Sequence, residues 1–231
     1  MRSRVGRVTF FSHLAQYAVT GSDVLPETDG PMGEASMSLL ELIARADERG
    51  LAVSGVACLD RCLPAEDGGA PEPLRPLWAA CGKGAEWAAR LDAVHTALEA
   101  TAGGDAVVAR VRALLGAAPR DFAAEPLRAW ADACSLLALD VHRAYDFPAG
   151  DDAGGDDLRA GDGAGAGPLV TGELRRQSEI LESLAEAAGA EGGGTGLRRV
   201  LDLSTEGRRV LRAVVSRRAR SGVLRGGVSL T

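Results

Sequence analysis

The clearest helical periodicity of this chain lies in two runs, AEWAARLDAVHTAL at residues 85–98 and LRAWADACSLLALDVHRAY at residues 127–145. Apolar residues recur every three or four positions in both runs, which places them on one side of an α-helix. The first side holds Trp87, Leu91, Val94 and Leu98, and the second holds Leu127, Trp130, Cys134, Leu137, Val141 and Tyr145. Because neither helix can bury such a side alone, we expect the two to pack together.

Helix start and stop signals predict further helices before, between and after these runs. Residues 51–63 are ambiguous, because valines and Gly55 lower the helix propensity of a segment that is otherwise periodic. Gly50 is suited to end a helix that lies just before this segment. The first helix of the chain is expected at about Thr9–Val19. Ser and Asp side chains accept hydrogen bonds from the free N–H groups of a first helical turn. The candidates for this capping role are Ser36 or Ser38, Asp105 and Asp121.

The composition favours an all-α fold. Aromatic residues make up only 4% of the chain, and runs rich in valine, isoleucine, threonine and aromatics are scarce. We predict a helical bundle domain over residues 1–148 and an acidic linker rich in glycine and aspartate over 149–167. A C-terminal helical region with a basic tail follows over 168–231, as a helical hairpin or a basic helix. The linker is expected to be disordered, because it holds too few apolar residues to offset the entropy of ordering it.

Acidic and basic residues are segregated within residues 149–231. Residues 149–194 contain ten acidic and three basic residues, whereas residues 195–231 contain nine arginines and only two acidic residues. A basic amphipathic helix is typical of segments that bind acidic proteins, nucleic acid or anionic surfaces. Two alternatives are that the two segments pair with each other and that the arginines are simply solvated. The candidate binding residues are Arg198, Arg199, Arg208, Arg209, Arg212, Arg217, Arg218 and Arg220.

Arg90 and His95 carry the one catalytic possibility. Their Arg-x4-His spacing resembles an element of HEPN-type ribonucleases, which are helical bundles. The resemblance implies that the arginine and histidine serve RNA cleavage, with histidine as the acid or base. It covers only these two positions, and the alternative is a surface arginine beside a partly buried histidine.

Other signals narrow the class of protein further. No phosphate-binding loop, dinucleotide fingerprint, nucleophile elbow or zincin motif occurs, so we expect no cofactor. The spacing of Cys58 and Cys62 is compatible with a metal site that includes a histidine, but no second ligand pair follows. We therefore interpret the two cysteines as core thiols and expect no metal. No apolar run reaches the roughly 20 residues that span a bilayer, which favours a cytoplasmic protein. Only one basic residue, Lys83, is lysine, which suggests a GC-rich genome.

These observations predict a non-enzymatic helical adaptor or regulatory protein whose basic C-terminal helix binds a partner, which we expect to be a protein. Two alternatives stay open. One is a HEPN-like ribonuclease that uses Arg90 and His95. The other is a nucleic-acid-binding protein that uses the arginine-rich tail of residues 195–231.

Overall fold

The structure is a computed structural model that describes residues 37–63, 73–100, 105–146, 154–161, 166–189 and 194–220. Within these ranges every regular element is an α-helix, which confirms the all-α prediction. The expected first helix at Thr9–Val19 lies outside the described residues. The helices are α1 (Leu39–Arg45), α2 (Glu48–Cys62), α3 (Arg75–Ala80), α4 (Gly84–Ala100), α5 (Ala106–Gly116), α6 (Ala124–Ala144), α7 (Gly155–Ala160), α8 (Pro168–Gly189) and α9 (Gly194–Arg220).

Helix α2 lies at the centre of the fold. Every residue from Gly50 to Cys62 is buried, because α6, α8 and α9 all pack against this helix. The segment that is ambiguous in sequence is helical from Leu51 to Cys62, and Leu63 follows the helix as its C-cap. Packing explains the glycine at position 55, because a Cβ there would collide with the indole ring of Trp130 on α6. Glycine thus lets α2 and α6 approach closely, although its helix propensity is lower than that of alanine.

The two periodic runs meet at a pair of tryptophans. The rings of Trp87 on α4 and Trp130 on α6 pack edge to face, with centroids 5.8 Å apart. Each indole N–H donates to a backbone carbonyl, of Pro119 at 2.7 Å and of Leu114 at 2.8 Å. Both apolar sides are buried as predicted, except that Tyr145 is only partly buried. The expectation that α4 and α6 pack on each other is met only at the tryptophan contact, because α4 packs mainly against α3 and α6 mainly against α2.

Two of the predicted caps are confirmed, and two start or stop signals are wrong. Ser38 forms a capping box with Glu41 at the start of α1, and the Asp105 carboxylate accepts from the first amides of α5. Gly50 does not end a helix, because α1 stops at Arg45 and Gly50 lies in the first turn of α2. Asp121 does not cap α6, which starts later, after Ala123, and has no side-chain cap.

The predicted disordered linker contains a helix. Residues 155–160 form α7, whose Leu158 is buried against Leu139 and Val170. Arg159, only 2% exposed, pairs with Asp132 of α6 and with Asp156. One leucine and one arginine therefore anchor a segment whose overall composition predicts disorder, and residues 149–153 and 162–165 lie outside the described residues.

Helices α8 and α9 pack on each other and on α2. Their apolar residues, including Ile180, Val200 and Leu211, belong to the same buried cluster as those of α2 and α6. The division of the chain at residue 148 stays a prediction from sequence. In the described part of the chain, no helix is both long and apolar enough to cross a membrane.

Candidate functional site

A buried ion pair joins α2 to α8. The guanidinium of Arg61 donates to both carboxylate oxygens of Glu173, through Nη2 at 2.6 Å and Nε at 2.9 Å. Neither side chain is exposed. Gln177 donates to the same carboxylate at 2.9 Å and accepts from the Ser135 hydroxyl at 2.6 Å, which extends the network to α6. We call the Arg61–Glu173 contact the core ion pair.

His142 of α6 completes this network. Its Nδ1 lies 2.7 Å from the backbone carbonyl of Ala138, and because a carbonyl can only accept, Nδ1 carries the proton. Its Nε2 lies 3.5 Å from the nearer oxygen of Glu173. The imidazole is 1% exposed, so it meets the carboxylate away from solvent.

The electrostatics of the network favour the ionised pair. Burial by itself raises the pKa of Glu173, but the charge of Arg61 and hydrogen bonds from Arg61 and Gln177 lower that pKa below its ordinary value of 4.5. Burial raises the pKa of the neighbouring Cys58 thiol to about 12. The carboxylate is thus charged at neutral pH, and the thiol is protonated.

The arrangement of these groups indicates a structural role. A substrate must reach a catalytic group, and the side chains of the core ion pair and His142 are at most 1% exposed. The possible grouping of Cys58 and Cys62 with a histidine around a metal is not formed. Across the described ranges, no cluster of three or more His, Cys, Asp or Glu could hold a metal ion.

Helix α9 crosses directly above the core ion pair. Its Ser204 donates to buried Asp60 of α2 at 2.8 Å, and Arg208 lies 3.4 Å from the same carboxylate. Between them, a Cβ at Gly207 would collide with the side chain of Arg61. Helix α9 is continuous through Gly207, where the absence of a side chain allows the close approach to Arg61.

The end of α9 ties three helix termini together. Arg218 donates to the carbonyls of Asp146 and Ala144, at 2.6 Å and 3.4 Å, where α6 ends. The Asp146 carboxylate accepts from the amides of Leu169 and Val170, both at 3.0 Å, and so caps the start of α8. Arg208 and Arg218, which belong to the predicted binding arginines, therefore contact other parts of the protein.

The other six predicted binding arginines are exposed on α9. Arg198, Arg209 and Arg220 follow one another at 11-residue intervals, which is close to three helical turns, so they form one line along the helix. Arg212 lies one turn after Arg209 beside that line. This side of α9 is opposite the buried residues Val200, Ser204, Gly207 and Leu211. We call Arg198, Arg209, Arg212 and Arg220 the arginine row.

The arginine row lies beside an acidic helix. A Cβ at Gly196 of α9 would contact Ser183 and Ala187 of α8, so these small residues bring the two helices close together. Next to this contact, α8 presents Glu179, Glu182 and Glu186, which are partly or fully exposed. Helix α9 carries eight arginines and two acidic residues, whereas the whole chain has a net charge of −6. The basic side of α9 is thus a local feature of an acidic protein.

Arg90 and His95 lie on different sides of α4. Five helical residues correspond to a rotation of roughly 140° between side chains. Arg90 is exposed and pairs with Glu86, one turn earlier, at 3.1 Å, while His95 is partly buried next to Gly116. The structure does not bring the two side chains into contact with each other.

Comparison of the chain with protein-family models, with curated proteins and with solved structures gives no match. The candidate site therefore rests on the geometry of the chain itself. The sequence pointed to the arginines of α9, but it gave no signal for the core ion pair, whose two residues lie 112 positions apart.

Proposed function

We propose that this protein is a non-enzymatic helical binding module that contacts an anionic macromolecular partner through the arginine row of α9. The observation that carries the proposal is the alignment of four exposed guanidiniums on one side of a helix that is held rigidly by its other side. Guanidinium groups bind carboxylates and phosphates with paired, charge-assisted hydrogen bonds. The packed side of α9 holds the helix backbone in place, so only the arginine side chains lose freedom on binding.

Insertion of α9 into a membrane fits the geometry less well. An interfacial helix buries its apolar side among the lipids. In α9 that side already packs against α2 and α8, with Val200 fully buried and Leu211 7% exposed. Partner contact through the basic side leaves this packing intact.

The cysteines support an intracellular role. All four, Cys58, Cys62, Cys81 and Cys134, are free and buried. Reduced thiols without disulfides are typical of proteins in a reducing compartment such as the cytoplasm. We therefore propose the cytoplasm as the place where α9 meets its partner.

Retention on immobilised heparin, a sulfated polyanion, tests the proposal. A protein of net charge −6 is repelled by heparin at neutral pH unless a local basic surface binds it. We expect the full chain to be retained and the variant R198Q/R209Q/R212Q/R220Q to flow through. The matched control R90Q/R110Q/R120Q/R175Q removes the same charge from exposed ion pairs elsewhere and should be retained. Flow-through of the unaltered chain, or equal retention of both variants, would overturn the proposal.

A further inference from the structure

We propose that the partner of the arginine row is the phosphate backbone of a nucleic-acid duplex, an inference that rests on the proposed function. Two features of α9 set the row apart from a surface for proteins or lipids. One is the chemical make-up of the exposed side, and the other is the spacing of its arginines.

The make-up of this side favours a polyanion over a folded protein. Between the arginines lie small or polar residues, namely Asp202, Thr205, Ala213 and Ser216, with Leu201 at the edge. Stable protein–protein interfaces have an apolar or aromatic centre, and exposed ion pairs alone contribute little affinity. Binding to a nucleic acid is different, because each neutralised phosphate releases condensed counterions and so contributes affinity without any apolar contact.

The spacing of the arginines matches the repeat of a duplex. At 1.5 Å per residue, Arg198, Arg209 and Arg220 are about 16.5 Å apart, and the row is about 33 Å long. One turn of a duplex spans about 34 Å. The two sugar-phosphate backbones each cross a line along the duplex once per turn, so crossings occur on average every half turn. The crossings alternate between a shorter and a longer interval because the grooves differ in width, and the long arginine side chains span that difference to reach a backbone.

The regular spacing of the arginines favours a duplex over an anionic membrane surface, which has no such repeat. Helix α9 contains no aromatic residue to stack on bases, which favours a duplex over a single strand.

Fluorescence anisotropy with a labelled 24-base-pair DNA duplex of random sequence tests this inference on the full chain. Four phosphate contacts predict a salt slope of about −3.6, so the affinity should fall roughly 100-fold between 50 and 200 mM salt. R198Q/R209Q/R212Q/R220Q should lose binding, whereas R90Q/R110Q/R120Q/R175Q should bind the duplex with closely similar affinity. Asp202→Asn removes a carboxylate from the middle of the row and should strengthen binding about twofold to fivefold.

Two further probes separate this inference from the proposed function. Poly-glutamate and vesicles that contain phosphatidylserine should not compete with the duplex at equal concentrations of charge. Heparin retention without duplex binding, or stronger binding to either competitor, would overturn the duplex assignment and leave the proposed function in place. Loss of both heparin and duplex binding in the unaltered chain would overturn both.

Discussion

Arginine side chains lie in two opposite environments in this protein, the buried core and the exposed side of α9. Arg61 lies in the core, held between both oxygens of Glu173, whereas Arg198, Arg209 and Arg220 lie on the outside of α9. The two environments are close together, because α9 passes over Arg61 at Gly207. The inward arginine fixes the position of the helix, and the outward arginines use that position. The same residue type thus supports the fold in one place and forms the candidate binding surface in the other.

Glu173→Gln should produce the largest effect, because it leaves the Arg61 guanidinium buried without a counter-charge. Removing one partner of a buried ion pair typically costs about 3–5 kcal/mol of unfolding free energy. Urea denaturation of the variant measures this loss. The control Glu182→Gln, on the partly exposed side of α8, should change stability by less than about 0.5 kcal/mol. Equal stabilities of the two variants would mean that the core ion pair contributes nothing.

Lowering the pH should reproduce part of the loss of unfolding free energy that Glu173→Gln causes. The folded-state pKa of Glu173 lies below 4.5, so its charge stabilises the fold fully above that pH. This contribution falls away as the pH drops through the folded-state pKa. Unfolding free energies from pH 7 to pH 3 should decline more steeply for the unaltered protein than for Glu173→Gln. The difference between the two curves reports the ionisation of Glu173 together with its interaction with His142, and parallel curves would contradict the assignment.

Gly207→Ala should be the next largest change, because its Cβ collides with Arg61. We expect a loss of about 1–3 kcal/mol from overpacking. The sign is informative, since alanine ordinarily stabilises a helix interior by about 1 kcal/mol relative to glycine. Gly189→Ala is the control, because nothing lies within 4 Å of the added Cβ. Thermal melts in which Gly207→Ala is the more stable of the two would show that α9 does not cross Arg61 closely.

Asp146→Ala should have a smaller effect on the fold. It removes the carboxylate that accepts from the amides of Leu169 and Val170, and a lost N-terminal cap typically costs about 1 kcal/mol. The matched control is Asp121→Ala, since α6 has no side-chain cap. Chemical denaturation should separate the two aspartates, and a larger loss at Asp121 would contradict the observed helix starts.

Arg209→Gln should have the smallest effect on stability, less than about 0.5 kcal/mol, because exposed charges contribute little to folding. It should nevertheless lower the salt concentration at which the protein elutes from heparin. Arg175→Gln, which removes an equally exposed arginine from α8, should leave that elution unchanged. A destabilisation at Arg209 comparable to that at Glu173 would mean that the two arginine environments do not differ as described.

The sequence predicts well those features that depend on neighbours along the chain. The apolar sides of α4 and α6, and the caps Ser38 and Asp105, follow from local spacing, and the structure confirms them. Glycines are harder to interpret, because Gly55 and Gly207 resemble helix breakers until their distant neighbours Trp130 and Arg61 are known. The sequence does not predict helix α7 for a similar reason. Its stability depends on Asp132 and on the apolar residues packed around Leu158.

The candidate site shows the same limit. The arginines of α9 are visible in sequence as a charge bias, but the bias does not show which of them face outward. Arg208 and Arg218 contact the rest of the protein, whereas Arg198, Arg209 and Arg220 form one line. The core ion pair links positions 61 and 173, and no sequence pattern near either residue indicates it. Only the packing of α8 and α9 on α2 separates the two classes of arginine.

Heparin elution and thermal melting of R198Q/R209Q/R212Q/R220Q, side by side with R90Q/R110Q/R120Q/R175Q, test whether the arginine row binds polyanions without supporting the fold. We expect only the first variant to lose retention, while both variants melt within a few degrees of the unaltered protein. Equal retention of the two variants would contradict the claim, because net charge rather than the arginine row would then govern binding. A large drop in melting temperature confined to the first variant would also contradict it, since the row would then belong to the fold.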